Sequence, residues 1–210
     1  MMKRLLSLLL AGAAGTAFAA SPAPHRIFIA GDSTAATYGS ERAPQAGWGQ
    51  KLPEWTTAGW EVRNHAVGGR STRSFIDEGR LDAIAGEIGA GDVLLIQFGH
   101  NDAKREDATR YTDPVTDYPR FLQRYIEVAR RKGATPILIT PVARLLYDFR
   151  SLVDTHGRYT LAMQALAERE GVALIDLDAT SSDWIRVHGE DGAKPYFMFT
   201  QGKTDGTHFS

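Results

Sequence analysis

Val93-Leu94-Leu95-Ile96-Gln97-Phe98 is an almost unbroken apolar run, and Gly99-His100-Asn101-Asp102 ends it. A strand with one face in water alternates apolar and polar residues. A short run that is apolar at both parities fits a strand covered on both faces, as in a parallel sheet. Working outward, residues 26–30, 60–65, 136–140 and 172–177 read as four further strands around the 92–98 segment. Residues 48–57, 74–88, 118–132 and 158–170 carry helical spacing. In 74–88, Phe75, Ile76, Leu81, Ile84 and Ile88 share roughly one face, and the last two helices stop at Gly133 and Gly171. Strands alternating with helices predict parallel pairing through right-handed crossovers. The expected fold is α/β: a three-layer α/β/α sandwich on a five-stranded parallel sheet, with no internal repeat and no second domain.

At 210 residues and 43% hydrophobic, the chain has enough material for one domain with its own core. Its formal charge of −1 offers no basic excess for nucleic acid or an anionic membrane. The start has the layout of an export signal. Met1-Met2-Lys3-Arg4 is basic, residues 5–14 are apolar, and Ala17-Phe18-Ala19 is a small-x-small cleavage site. The apolar part is too short to span a bilayer. Residues 1–19 therefore read as a signal peptide and 20–25 as a linker, which predicts a secreted or periplasmic protein. There is no cysteine, which excludes a thiol nucleophile and any Cys-ligated zinc.

In an open parallel sheet the ligand crevice lies beyond the carboxyl ends of the strands, and the polar blocks of this chain fall there. Gly31-Asp32-Ser33-Thr34 follows the first strand and offers a hydroxyl to the crevice; Asp32 and Ser33 equally suit a helix cap. No Gly-x-Ser-x-Gly elbow is present, which disfavours the usual α/β-hydrolase arrangement. Asn64, Gly68 and Gly69 follow the second strand, where glycines either present backbone N–H groups to a ligand or simply turn the chain. Asn101 and Asp102 follow the third. An Asn side chain there can stabilise an oxyanion or close an Asx turn.

Asp205 and His208 lie three residues apart in the final segment. The acid can orient the imidazole within a single turn, leaving the other ring nitrogen for Ser33. Read alone, they are also polar residues at a chain end. Ser33, His208 and Asp205 thus supply the nucleophile, base and orienter of a serine hydrolase, provided the first strand meets the last loop. Trp48, in Gly47-Trp48-Gly49-Gln50, suits either stacking on a sugar or packing in the core. Arg70 suits substrate contact or a helix start; Arg144 suits an anionic substrate or a local acid. His25, His65, His100, His156 and His188 lack metal-ligand spacing, so neither a metal nor a cofactor is expected.

The ordered set Gly31-Asp32-Ser33, Gly69, Gly99-x-Asn101-Asp102 and Asp205-x-x-His208 resembles the SGNH, or GDSL-type, hydrolase superfamily across residues 26–210. Longer blocks resemble its rhamnogalacturonan acetylesterase branch, carbohydrate esterase family twelve. These are Gly47-Trp48-Gly49-Gln50, Gly69-Arg70-Ser71-Thr72-Arg73-Ser74-Phe75, Gln97-Phe98-Gly99-His100-Asn101-Asp102, Thr140-Pro141-Val142 and Asp205-x-Thr207-His208-Phe209.

The resemblance implies a flavodoxin-like sheet and removal of acetyl groups from pectic polysaccharide without a cofactor. It implies Ser33 as nucleophile, His208 as base and Asp205 as its partner. It also implies an oxyanion hole of Ser33 N–H, Gly69 N–H and the Asn101 side chain. Two departures stand out. The family's paired arginines after the Thr-Pro-Val strand are here Arg144 followed by Leu145. Family members also continue past the histidine block with a closing helix, which the domain 26–210 is expected to lack. The alternatives are a superfamily esterase or lipase acting on other acyl or aryl esters, and an inactive carbohydrate-binding remnant.

Overall fold

Strand β1 (His25–Gly31) places Phe28 and Ala30 on one side of a sheet and Ile27 and Ile29 on the other. Strand β3 (Val93–Gln97) divides Leu94 and Ile96 from Val93 and Leu95 in the same way. With both faces apolar, both must be covered. The computed structural model describes residues 25–200 and 202–210 and shows that cover. The signal peptide expected at 1–19 and residues 20–24 of the linker lie outside the described residues.

Strands β2 (Trp60–Asn64), β1, β3, β4 (Thr135–Ile139) and β7 (Ala173–Ile175) form one sheet in the spatial order β2-β1-β3-β4-β7, every pair parallel. In the chain between β4 and β7 lie two short strands, β5 (Tyr147–Asp148) and β6 (Ser151–Leu152), which form an antiparallel hairpin. The spatial order is that of a flavodoxin-like sheet. Its direction of winding reverses between β1 and β3, the switch point where such sheets bind ligands. The three-layer α/β/α reading holds.

The larger core cluster lies under the helices α2 (Thr72–Asp77), α3 (Arg80–Glu87), α4 (Asp117–Arg131) and α5 (Gly157–Glu170). Helix α4 shows why it packs there. Tyr118, Phe121, Leu122, Tyr125, Ile126 and Ala129 recur at intervals of three and four, and all are buried. The opposite face holds Ile29, Ala35, Leu95 and Ile139, with Trp48 from α1 (Trp48–Lys51) and Leu177 from α6 (Leu177–Ala193).

Several elements differ from the sequence reading. The 48–57 helix is one α turn followed by a 3-10 turn, Leu52–Trp55, with Pro53 at the changeover. The 74–88 helix is two helices, α2 and α3, separated by Gly79 in the left-handed region. Helix α6 was not anticipated. Among its residues only Ile185 and Ala193 are fully buried, so its apolar period is faint, and Gly189 kinks it. It also shortens the fifth strand, because Asp176 accepts from the Ala179 N–H and starts the helix there. The final block is a strand rather than a turn: β9 (Asp205–Phe209) pairs antiparallel with β8 (Phe197–Met198).

Candidate active site

The turn after β1 is closed by its own acid. Asp32 is fully buried, and its Oδ1 accepts from the Thr34 N–H at 2.9 Å and the Thr34 hydroxyl at 2.8 Å. Ser33 is left half-buried, its carbonyl held by the Tyr38 hydroxyl at 2.7 Å. Among the described residues its Oγ has no hydrogen-bond partner. Burial is the largest influence on Asp32 and pushes its carboxyl up. His100, through its charge and a 3.2 Å contact from Nδ1, together with the Thr34 donors, outweighs burial and holds it below the usual carboxylate range.

The second block is drawn to the first by backbone bonds. Val67 N–H donates to Gly31 O at 3.0 Å, extending the β1–β2 pairing by one step. A Cβ on Gly68 would stand 3.6 Å from Ser33 Cβ. Gly69 has φ of +81°, a conformation that favours glycine. Among the described residues, neither the Ser33 N–H nor the Gly69 N–H is spent on a protein acceptor.

The third block is fastened to the second. Asn101 is 3% exposed; its Nδ2 donates one hydrogen to Arg70 O at 3.1 Å, and its Oδ1 accepts from Arg110 at 3.4 Å. The neighbouring Asp102 carboxylate takes the Thr72 N–H, the Thr72 hydroxyl and the Thr112 hydroxyl. Burial pushes the Asp102 carboxyl up to about 7, against those hydrogen bonds. Asp102 is thus a strut that pins the Asn101 loop to the start of α2, just beyond Gly69. Its place in the Gly99-x-Asn101-Asp102 block signalled importance, and its role as a strut needed the fold.

The acid–histidine pair is formed. Asp205 Oδ2 lies 2.7 Å from His208 Nδ1, and Asp205 Oδ1 accepts from the Thr207 and His208 N–H groups at 2.8 and 3.2 Å. Burial acts to raise the Asp205 carboxyl, but His208 and the two backbone donors together hold it below its ordinary value. Nδ1 is occupied, and Nε2 has no protein partner among the described residues.

Three tethers set β9 beside the Ser33 turn. Phe209 O accepts from Ala46 N at 3.2 Å, Gly47 packs against the Ala35–Ala36 backbone, and Trp48 N donates to Thr34 O at 2.9 Å. On its other side β9 is held by Leu145, whose N–H donates to Gly206 O at 2.7 Å, and by Arg144, whose guanidinium donates to the Thr207 hydroxyl at 2.6 Å. Burial pushes Arg144 down from its ordinary value, opposed by the charges of Asp32 and Asp205. Beside Arg144 and Thr207 opens a cavity of about 370 Å³, also lined by Tyr147, Phe199 and Gly206.

The remaining candidates are less free. Trp48 lies in the second core cluster, and its indole N–H is given to the buried Gln97 at 2.9 Å. Arg70 donates to Gly68 O at 2.8 Å and pairs with Glu78 at 3.1 Å. Among the described residues, no three His, Asp or Glu side chains gather in a metal-binding group.

The serine turn thus lies at the switch point, with uncommitted N–H groups beside it and an oriented histidine on the strand tethered to it. Residues 29–210 match the GDSL-like Lipase/Acylhydrolase family. The chain belongs to this family and is a carboxylic ester hydrolase.

Among curated relatives it is 44% identical to the probable rhamnogalacturonan acetylesterase YesY of Bacillus subtilis, over 89% of this chain and 85% of that protein. It is 43% identical to the rhamnogalacturonan acetylesterase RhgT of the same organism, over 89% and 83%. Among solved structures, the Bacillus subtilis protein YxiM superposes with a TM-score of 0.78 at 30% identity, over 89% of this chain. This chain spans about half, 51%, of YxiM. Axe2, an acetylxylan esterase from Geobacillus stearothermophilus, superposes with a TM-score of 0.65 at 15% identity, over 89% of this chain and 87% of that one, a likeness of fold alone.

Proposed function

We propose that this protein is a secreted or periplasmic acetylesterase that removes acetyl groups from rhamnogalacturonan through a covalent acyl-enzyme. The observation that carries the reading is the 2.7 Å Asp205–His208 contact on a strand tethered to the Ser33 turn. With Nδ1 held by Asp205, the Nε2 lone pair of His208 takes the Ser33 proton as Oγ bonds to the acetyl carbonyl carbon. The carbonyl π pair moves onto oxygen. In this reading the uncommitted Ser33 N–H, Gly69 N–H and second Nδ2 hydrogen of Asn101 receive that charge. Collapse expels the sugar alkoxide, which takes the proton from His208. Water, deprotonated by the same nitrogen, attacks the acetyl-serine, releases acetate and restores Ser33.

The two relatives named rhamnogalacturonan acetylesterases support the substrate. The cavity beside Arg144, lined by Tyr147, Phe199, Thr204, Thr207 and Glu190, offers aromatic and hydrogen-bonding side chains of the kind that hold a sugar. Arg144 is the first candidate for substrate contact. Trp48 and Arg70 then serve chiefly by shaping the loops they brace. The signal-like residues 1–19 support export.

The test is acetate release from acetylated rhamnogalacturonan by the wild type and by Ser33→Ala, beside acetylated xylan and long-chain lipid esters. Loss of release on Ser33→Ala, with preference for the pectic polymer, is expected. Equal rates for the two proteins would reject Ser33, and preference for long acyl chains would reject the substrate.

A further inference from the structure

Three buried titratable side chains play no part in the proton transfers above. Asp32, His100 and His156 are 0%, 3% and 2% exposed. Asp32 Oδ2 receives His100 Nδ1 at 3.2 Å. The His100 ring meets the His156 ring edge to face, with centroids 4.5 Å apart. His156 Nε2–H then donates to Val142 O at 3.1 Å; the carbonyl can only accept, so this nitrogen carries the hydrogen.

Where the two ends of this row lead is what matters. Asp32 adjoins Ser33, and His100 adjoins Asn101. Val142 begins the segment whose Arg144 and Leu145 hold Thr207 and Gly206, next to His208. The row therefore runs beneath the site from the nucleophile turn, past the Asn101 loop, to the segment that seats the base.

We propose that His100 and His156 are positioning residues, forming with Asp32 and Val142 a buried spine that fixes the distance between the Ser33 turn and His208. The proposal rests on the Ser33–His208 reading of the site.

Two features set the spine apart from ordinary packing. His100 Nε2 and His156 Nδ1 are buried without hydrogen-bond partners among the described residues. A core serving only stability avoids that cost by using apolar side chains. The His156 ring is also held neutral: burial first, then the charges of His100 and Arg144, push it down to about 2. It stays a fixed single donor to Val142 O over the working pH range.

The test compares His156→Phe, which keeps a ring but removes the donor, with His156→Gln, whose amide N–H can replace Nε2–H. The probe is 4-nitrophenyl acetate, which needs no polysaccharide contact. His156→Phe is expected to lower kcat by about ten- to a hundredfold with KM within about twofold, a split that marks displaced reacting groups and not lost binding. His156→Gln is expected to return kcat to within about threefold of the wild type. A His156→Phe kcat near the wild-type value, a loss confined to KM, or a His156→Gln protein as impaired as His156→Phe would each overturn the proposal.

If His156→Phe does not fold, the His100→Leu and His100→Asn pair is judged by the same criteria, since the Asn amide replaces Nδ1–H toward Asp32. Ser33→Ala is assayed beside them. Full activity in Ser33→Ala overturns the site reading and the spine with it. A dead Ser33→Ala alongside unimpaired His156 variants overturns the spine alone.

Discussion

Ala46 is bonded to Phe209: the Ala46 N–H donates to the Phe209 carbonyl at 3.2 Å, an isolated antiparallel bridge. Ala46 lies two residues before Trp48, whose own N–H is fixed to Thr34 O, and Phe209 directly follows His208. This pairing joins two stretches more than 160 residues apart in sequence. It brings the segment that carries His208 next to the segment fixed to the Ser33 turn, and the chemistry proposed here depends on that neighbourhood.

Asp205→Asn is expected to keep the fold and lose most activity. Asn is isosteric, so the Thr207 and His208 backbone donors retain an acceptor, but the charge that orients His208 is gone. By analogy with the serine-protease triad, kcat should fall by roughly 10³–10⁴-fold. Steady-state kinetics on 4-nitrophenyl acetate, with the thermal midpoint measured in parallel, check this. A loss below tenfold would remove Asp205 from the mechanism.

Gly206→Ala tests the seat of β9. A Cβ there would run into the Leu145 carbonyl, a backbone atom that cannot swing away. The strand must shift, and overpacking of this kind costs about 1–3 kcal/mol. Because Thr207 and His208 move with it, kcat should drop further than stability alone explains. Denaturant unfolding and the ester assay on the same protein separate the two effects, and normal kcat with a lowered unfolding midpoint would show that β9 tolerates the shift.

Asn101→Ala removes the proposed oxyanion donor and the Arg70 O contact together. Loss of a single donor of this kind costs about 10²–10³-fold in kcat. Asn101→Asp, which keeps the size but presents a carboxylate to a developing negative charge, should be at least as damaging. If Asn101→Asp retains wild-type kcat, the Asn101 amide is not an oxyanion donor.

Asp92 should govern acid stability far from the site. It accepts from the Arg26 N–H, two Arg26 guanidinium nitrogens and the Gly89 N–H, and these bonds outweigh burial to hold its carboxyl below the ordinary value. A depressed folded value means the unfolded chain binds the proton more readily. The stabilisation is thus complete above the unfolded value, about 3.9, and is lost as pH falls through the folded one. Thermal midpoints of wild type and Asp92→Asn should differ most at neutral pH and converge in strong acid. The neutral-pH gap should exceed that for Asp191→Asn, whose acid is 97% exposed and whose ion pair is screened by solvent. A gap that stays constant with pH would contradict this.

The five strands and the polar blocks at their ends were legible because each rests on a local rule. Apolar runs such as Val93–Gln97 must be buried, and Gly-ended helices such as α5 announce their stops. Helix α6 was not legible, since so few of its residues are buried. The 74–88 helix was misread because Gly79 breaks a pattern whose apolar residues all still face the core.

The sequence by itself determined the parallel α/β sheet, the candidate serine, asparagine, acid and histidine, and the placement of the serine and asparagine at strand ends, because hydrophobic period and turn chemistry act over a few residues. Only the tertiary structure decided that the final segment is a strand locked between Ala46 and Leu145, that Trp48 spends its N–H on Gln97, that Asp102 grips Thr72 and that His100 packs on His156. Those contacts join residues distant in sequence. Hydrogen-bond partners across such distances are chosen by packing, which no local pattern encodes.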